Sequence, residues 1–439
     1  MKRHKLLFVG ADSSTEDALR YAQSLGVYTI VTDYRPKEMV RAKQLADEAW
    51  MVDVADLDTM EKRCMEEKVT AAYAGNHEFC LDQCRLLCKR LNFPFYASDN
   101  GWKAARDKAF YKEICEECGL NTPKWCRLKE ETLPELSQRF KFPVVIKPVD
   151  SCAQQGLSVV YYPDEVPEAY RKALVFSASK EVIAEECVDG IEIYISVYFH
   201  ENQVYCLGVF ENFQANINGR NNLGMIVHNG RYNEYIRNEI LPKFTMVAQR
   251  LECWEGPCLF QCIYKDGILY NIELGYRLDG VCAWRIYKKA YGISDLELAL
   301  DYSLANIHRG KIAAFNSPLE HNVSMSYFLW ARPGQVERII GLEELCRRTD
   351  ISLQINRYKE GDIIRNHNNM RSIAYHFTLY GKDHLELDRE IKEINNILHM
   401  LDHEGKDMLI YLEGYYDTWL ASMNGDMNKK YYVRKVNEE

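Results

Sequence analysis

The sequence predicts an α/β chain with a parallel N-terminal sheet flanked by helices, followed by a longer region of antiparallel strands. Three observations predict it. Short apolar runs alternate with amphipathic stretches through the first hundred residues, the βαβ rhythm of a parallel sheet. Between about residues 142 and 280 apolar strands meet across polar turns. Beyond about residue 311 the pattern changes to long strands around one helix.

In order, LLFVG (6–10) reads as a buried strand and Thr15 to Leu25 as an amphipathic helix stopped by Gly26. Strands follow at 27–31, 48–54 and 71–75, with a helix from Asp58 to Lys68 and a cysteine-bearing helix after the last. The turn Gly10-Ala11-Asp12-Ser13-Ser14 lacks the full glycine pattern of a dinucleotide site, and Asp33 is placed either to hold a ribose or, the preferred reading, to cap the following turn. Asp107 opens a helix to Cys118, and Leu133 to Phe140 reads as another. FPVVIKP (142–148), LSVVYY (157–162) and VIAEE (182–186) are strands, the first two separated by the polar loop DSCAQQG. Ile191–Phe199 and Val204–Phe210 are alternating strands, and Tyr235 to Leu251 is helical. Ser294 caps a helix to Arg309; 328–341 reads as strand, Pro-Gly turn, strand; 373–381 is a strand, 385–401 a helix and 407–414 a last strand. The tail after Ser422 is polar.

The chain of 439 residues is 47% hydrophobic and 27% charged, a globular composition. A net charge of −9 argues against a general nucleic-acid binder, which needs a basic excess. No apolar run is long enough to cross a membrane, and the N-terminus reads as a strand rather than a signal segment, so a cytoplasmic location is expected. The fifteen cysteines include Cys80, Cys84 and Cys88 on one helix face and a lone Cys115/Cys118 pair. Without a second pair at zinc-site spacing they read as small buried hydrophobes.

The stretch Gly256–Gly280 carries the most chemistry. It reads as a hairpin with a Lys265-Asp266-Gly267 turn that pairs Tyr264 with Ile268. Gln261 then lies opposite Asn271 and diagonal to Glu273, two oxygen donors on one face suited to a hard cation. Arg277 adds a fixed positive charge for phosphate or carboxylate. Upstream, Lys108 starts a helix, Lys147 ends a strand before a loop with Ser151 and Gly156, and Glu185, Glu186 and Glu192 cluster around a strand end. Two lysines on separate elements, a hydroxyl- and glycine-containing loop, and carboxylates near a strand end are the parts of a nucleotide-triphosphate site.

This order resembles the ATP-grasp superfamily over roughly residues 5 to 310, on Asp107-Lys108, FPVVIKPVDS at 142–151, Gly156, EECVDGIE at 185–192, and Gln261 with Glu273 and Arg277. The glutamine at the first metal position is similar to that of the carbamoyl-phosphate synthetase large subunit. The resemblance implies a Rossmann-like domain over 1–105, an ATP-grasp domain over 106–310 with a mobile lid at about 122–185, a β-rich cap over 311–425 and a tail over 426–439. It implies that Lys108 and Lys147 contact ATP phosphates under a loop carrying Ser151 and Gly156. Glu185, Glu186 and Val188 would line the adenine, Glu192 hold the ribose, and Gln261 and Glu273 bind Mg²⁺, with Mn²⁺ as a substitute. Lys147 and Arg277 would then offset charge on the transferred phosphoryl group. The implied reaction is ADP-forming ligation of a small-molecule carboxylate to an amine through an acylphosphate; a homodimer is one assembly open to the chain, and the sequence carries no biotinyl-lysine context such as AMKM, which argues against a complete biotin-dependent carboxylase. Arg220, Arg231, His228 and Arg285 are the candidates for the second substrate. The run Glu273-Leu274-Gly275-Tyr276-Arg277 departs from the family's ExNxR, and Gly275 motivates the rival reading, an ATP-binding regulatory or scaffold protein with impaired catalysis. A third reading, a dinucleotide-dependent oxidoreductase, rests on the N-terminal rhythm alone.

Overall fold

Lys5–Val9 is a central strand because Leu6, Leu7, Phe8 and Val9 are all buried, the continuous apolar pattern of a parallel strand covered on both faces. In the computed structural model the first sheet runs Glu48–Trp50, Tyr28–Thr32, Lys5–Val9, Ala71–Tyr73, all parallel. The structure describes residues 4–151, 154–217, 220–228, 230–305, 312, 315, 323–348, 351–365, 372–423 and 432–434, with the side chains of 216–217, 220–223 and 432–434 outside that description. The helix Thr15–Ser24 ends before Gly26, whose φ of +75° is the left-handed conformation glycine adopts at little cost. The strand expected over 48–54 stops at Trp50, and the Asp53 carboxylate turns the chain by accepting from the Ala55 N–H at 3.0 Å.

Contacts divide the chain into two units. One holds Met1–Asp189, Ile195–Leu207 and Glu234–Pro318; the other holds Gly190–Tyr194, Gly208–Asn233 and Leu319–Glu439. Besides the parallel sheet, the first unit contains a four-stranded antiparallel sheet ordered Trp125–Leu128, Val182–Glu186, Val144–Pro148, Ser158–Val160. Helix Val166–Phe176 closes one face of it over a core of Leu128, Val144, Ile146, Ala173, Val182 and Ala184. The same unit carries the hairpin Glu255–Lys265 and Ile268–Gly275.

Strands Arg220–His228, Val323–Ala331, Ile373–Gly381 and Ile351–Asn356 form the sheet of the second unit, with Met225 opposite Tyr327 and Tyr327 opposite Phe377. Helix His384–Ile397 is tied to it by a Tyr327 hydroxyl donating to Asn395 at 2.7 Å.

Several elements differ from expectation. Residues 133–140 are a 3-10 turn, Glu130–Glu135, and then a short helix, Leu136–Arg139, because Pro134 removes a backbone donor. The 328–341 segment is not a local hairpin. Val323–Ala331 pairs with Ile373–Gly381, Gly334–Gln335 with Ile363–Ile364, and Arg338–Ile340 with His399–Leu401. Residues 399–401 therefore leave the expected helix, which ends at Ile397. Ser294 does cap a helix, by a reciprocal box with Glu297, over Asp295–Ser303. Residues 424–431 and 435–439, most of the expected tail, lie outside the described residues.

Candidate functional site

Asp107 has extended backbone, and its carboxylate accepts from the N–H groups of Ala109 and Phe110, both at 3.0 Å. That cap fixes Lys108 as the first helical residue of Lys108–Glu117. The Lys108 backbone N–H donates to Val149, its Nζ donates to the Ser151 carbonyl at 2.6 Å, and the same Nζ lies 3.3 Å from Glu273. One lysine therefore links the helix start, the polar loop and the hairpin.

Lys147 alternates with Val144 and Ile146, which fill the core on the other face of its strand. Register places Val145 opposite Glu185 and Lys147 opposite Ile183, so Lys147 and Glu185 are diagonal neighbours. Each is only 4% exposed, and they are joined by a hydrogen-bonded ion pair through Glu185 Oε1. The other oxygen, Oε2, lies 2.9 Å from Lys112 Nζ.

The electrostatics follow from this packing. Burial pushes the Glu185 carboxyl up, but Lys112 and Lys147 outweigh it and hold it at about 2. Burial lowers Lys147, and Glu185 opposes that shift. Glu273 is likewise held below the usual carboxylate value, with Lys108 and Lys147 overcoming desolvation. Its side chain is 42% exposed, so water screens this shift more than that of Glu185.

The hairpin corrects the expected register. Asp266 (φ 49°) and Gly267 (φ 84°) form a two-residue turn that pairs Lys265 with Ile268 and Tyr264 with Leu269. Both residues tolerate positive φ, and such a turn matches the twist of the strands. An irregularity next to Gln261 then shifts the register by one, making Gln261 and Glu273 direct partners rather than diagonal ones. Asn271 is fully buried and already engaged: it accepts from the Tyr111 hydroxyl at 3.3 Å and donates to the Asn121 carbonyl at 3.2 Å.

Gly156 has φ +75°, and a Cβ there would come within 2.8 Å of Pro148 Cγ and 2.9 Å of Phe176 Cβ. Ser151 Oγ donates to the Gln155 carbonyl at 2.8 Å and so shapes the same loop. Glu186 is exposed and Val188 half-buried. Arg277 donates from Nη1 to the Leu278 carbonyl at 2.8 Å, and its Nε lies 3.5 Å from Glu78, which also pairs with Arg106.

In the second unit the Glu192 carboxylate accepts from Tyr194 at 2.8 Å, Asn212 at 2.6 Å and Gln214 at 3.1 Å. Arg231 donates to Ser422 and lies 3.8 Å from Glu211. His228 is buried beside Phe210, and desolvation lowers it to about 4. The Arg220 side chain lies outside the described residues. In the first unit Arg285 pairs with Asp17, Nε to Oδ2 at 2.7 Å, and Trp284 donates to the same carboxylate.

Lys112 escaped the sequence reading, although its place one turn after Lys108 and one before Cys115 marks a shared helix stripe. Glu78 carried no local signal, since it meets both Arg277 and Arg106 only through tertiary packing.

At the first sheet, the Asp12 carboxylate accepts from the N–H groups of Ser14, Asn76 and His77 and from the hydroxyls of Ser14 and Thr15. Of the turn's own N–H groups, that of Ser14 is thereby occupied, and those of Asp12 and Thr15 are bonded within the turn, to Thr15 Oγ1 and the Asp12 carbonyl. Asp33 does cap its turn, accepting from the Arg35 N–H at 2.8 Å.

Residues 106–227 match the family model "Phosphoribosylglycinamide synthetase, ATP-grasp (A) domain". The fold is ATP-grasp. A curated relative, a D-alanine–D-alanine ligase of Tropheryma whipplei (strain Twist), is 29% identical over 111 residues, which is 24% of this chain and 31% of the relative. The chain thus spans about a third of that relative's length. An L-amino acid ligase structure from Bacillus licheniformis superposes with TM-score 0.76 at 21% identity, covering 92% of this chain and all of the other. The biotin carboxylase domain of Hydrogenobacter thermophilus 2-oxoglutarate carboxylase, solved with MgADP, ADP and bicarbonate, gives 0.74 at 16% identity over 97% and 98% of the two chains.

Among the described residues no cluster of three His, Cys, Asp or Glu side chains suits a metal, and no helix is long and apolar enough to cross a membrane. The oxygen pair Gln261/Glu273 fits Mg²⁺, which keeps several waters and takes its other ligands from phosphate.

Proposed function

We propose that this chain is an ATP- and Mg²⁺-dependent ligase that activates a small-molecule carboxylate as an acylphosphate and joins it to an amine, releasing ADP and phosphate. The observation that carries the proposal is the clustering of Lys108, Lys147, Glu185 and Glu273 from one helix, two lid strands and one hairpin. Relatives that are ligases, and a neighbour holding MgADP, support the reading.

In this reading Lys108 and Lys147 bind phosphate oxygens, and the loop with Ser151 and Gly156 covers them. The Glu185–Val188 segment, with Glu186, lines the adenine, and Glu192 takes the ribose. Gln261 and Glu273 hold Mg²⁺, whose charge neutralises phosphate oxygens when bound. The substrate carboxylate oxygen attacks the γ-phosphorus as its bond to the ADP oxygen breaks, and Lys147 and Arg277 face the developing charge. The amine then attacks the acyl carbon, phosphate leaves, and the amine loses a proton to solvent. Catalysis is positioning and charge neutralisation, with no enzyme nucleophile. Arg220, Arg231, His228 and Arg285 remain proposed contacts of the second substrate, Arg285 only by leaving Asp17. The domain limits implied by the resemblance, a cytoplasmic location and a homodimer belong to the same proposal.

ADP and phosphate release is measured with ATP, Mg²⁺ and a panel of amino acids and small carboxylic acids in pairs, with mass analysis of products. Stimulated release and a new C–N bond are expected for some pair. No stimulation by any pair, together with no ATP binding, refutes the proposal.

A further inference from the structure

Lys112 is fully buried on helix Lys108–Glu117, and its ammonium faces a single carboxylate oxygen. Its Nζ lies 2.9 Å from Glu185 Oε2. A buried lysine so placed is costly unless its charge is used. The Glu185 carboxylate between Lys112 and Lys147 gives the triad a net charge of +1: two ammonium groups and one carboxylate.

The two lysines are not equivalent. Lys147 stands at the end of its strand, directly before the loop that begins at Asp150 and Ser151, and shares electrostatic range with Lys108 and Glu273. Lys112 is one helical turn beyond Lys108, whose own Nζ reaches the Ser151 carbonyl, and its ammonium lies at the other Glu185 oxygen, Oε2. In this structure Lys147 is held by Glu185. Moving it onto a phosphate would leave a buried carboxylate uncompensated, unless a second cation stays behind.

We propose that Lys112 is a positioning residue, a resident counter-ion that keeps Glu185 paired while Lys147 turns to the nucleotide phosphates. The inference rests on the ATP-binding reading above and assigns a role to a residue that contacts no substrate. Without Lys112 the triad falls from +1 to neutral, and Glu185 holds Lys147 as its sole partner. With Lys112 in place, Lys147 can be shared or released at lower cost, and the net positive charge remains for a polyanion.

Charge and packing make different predictions. Lys112→Met keeps much of the volume and removes the charge. The pair Lys112→Met with Glu185→Gln returns the site to +1 and frees Lys147 from its carboxylate. ATP affinity of the full chain is measured by calorimetry, without acceptor substrates, for wild type, K112M, E185Q, the double variant and K112R. The expected result is a loss of about tenfold or more for K112M, roughly 1.4 kcal/mol, with the double variant binding more tightly than K112M. K112R, which keeps the charge, stays nearer wild type than K112M does. K112M binding within about twofold of wild type, or losses in K112M and E185Q that simply add in the double variant, overturns the inference while leaving the proposed function standing. Absence of ATP binding by the folded wild type removes both. Should K112M fail to fold, the comparisons of K112R with wild type and of the double variant with E185Q decide the matter: a tenfold loss in K112R, or an undiminished further loss in the double variant, refutes it.

Discussion

Replacing Glu185 by Gln isolates the electrostatic worth of the buried triad. The carboxyl is held at about 2 in the folded chain against an ordinary value of 4.5, because Lys112 and Lys147 outweigh its desolvation. A shift of that size corresponds to about 3 kcal/mol favouring the ionised folded state. The sign follows from the depressed value. The contribution is fully present above the unfolded-state value and is lost as pH falls through the folded one, so the window runs from about 4.5 down to about 2. Urea denaturation of wild type and E185Q, followed by tryptophan fluorescence, should show a gap of about 3 kcal/mol near neutral pH that narrows to below about 2 kcal/mol by about pH 3. The difference between the proteins removes the titration of the other carboxylates. A gap as wide in acid as at neutrality would refute the reasoning, because it would mean that shape rather than charge sets the cost.

Gly156→Ala meets both a positive φ and contacts under 3 Å with Pro148 and Phe176, so it should destabilise by about 2–4 kcal/mol and raise proteolytic nicking of the 151–156 loop. Gly275→Asn finds no atom nearer than 3.9 Å to its Cβ and should change folding stability by under about 1 kcal/mol. On the proposed metal face it should raise Mg²⁺ affinity measured by calorimetry; unchanged affinity would separate position 275 from the metal. His228 is lowered from 6.5 to about 4 by burial, so its stabilising share is present above 6.5 and is lost as pH falls through about 4. His228→Phe should flatten wild type's loss of stability across that window in thermal melts.

Much of the first unit was legible because local and global signals agree there. Buried apolar runs, Gly26 past a helix end and the Asp107 cap each announce their element within a few residues. Lys108, Lys147 and Glu185 could be found because they sit at element ends, where cap and strand patterns are strongest. Long-range pairing was not legible. The segment after Ala331 offers a Pro-Gly turn, yet its strands pair with residues near 363 and 399, partners that no local pattern marks. The hairpin register differs from expectation twice, because Asp266-Gly267 make a two-residue turn and because an irregularity beside Gln261, which no composition signal marks, changes the count of opposed residues. Lys112 was hidden because a lysine inside a helix is ordinarily solvated, and only the fold shows the carboxylate that draws it inward.

The Asp12 carboxylate has a consequence for how the chain meets free anions. Five donors converge on it from two loops at the end of the first sheet. Because this occupant is covalently tethered, its effective concentration far exceeds that of a dissolved competitor. The first sheet is thereby a receptor carrying its own permanent ligand. Asp12→Ala would vacate it, creating a second anion site in the same chain, and sulfate or phosphate should then raise the melting temperature of the variant more than that of wild type.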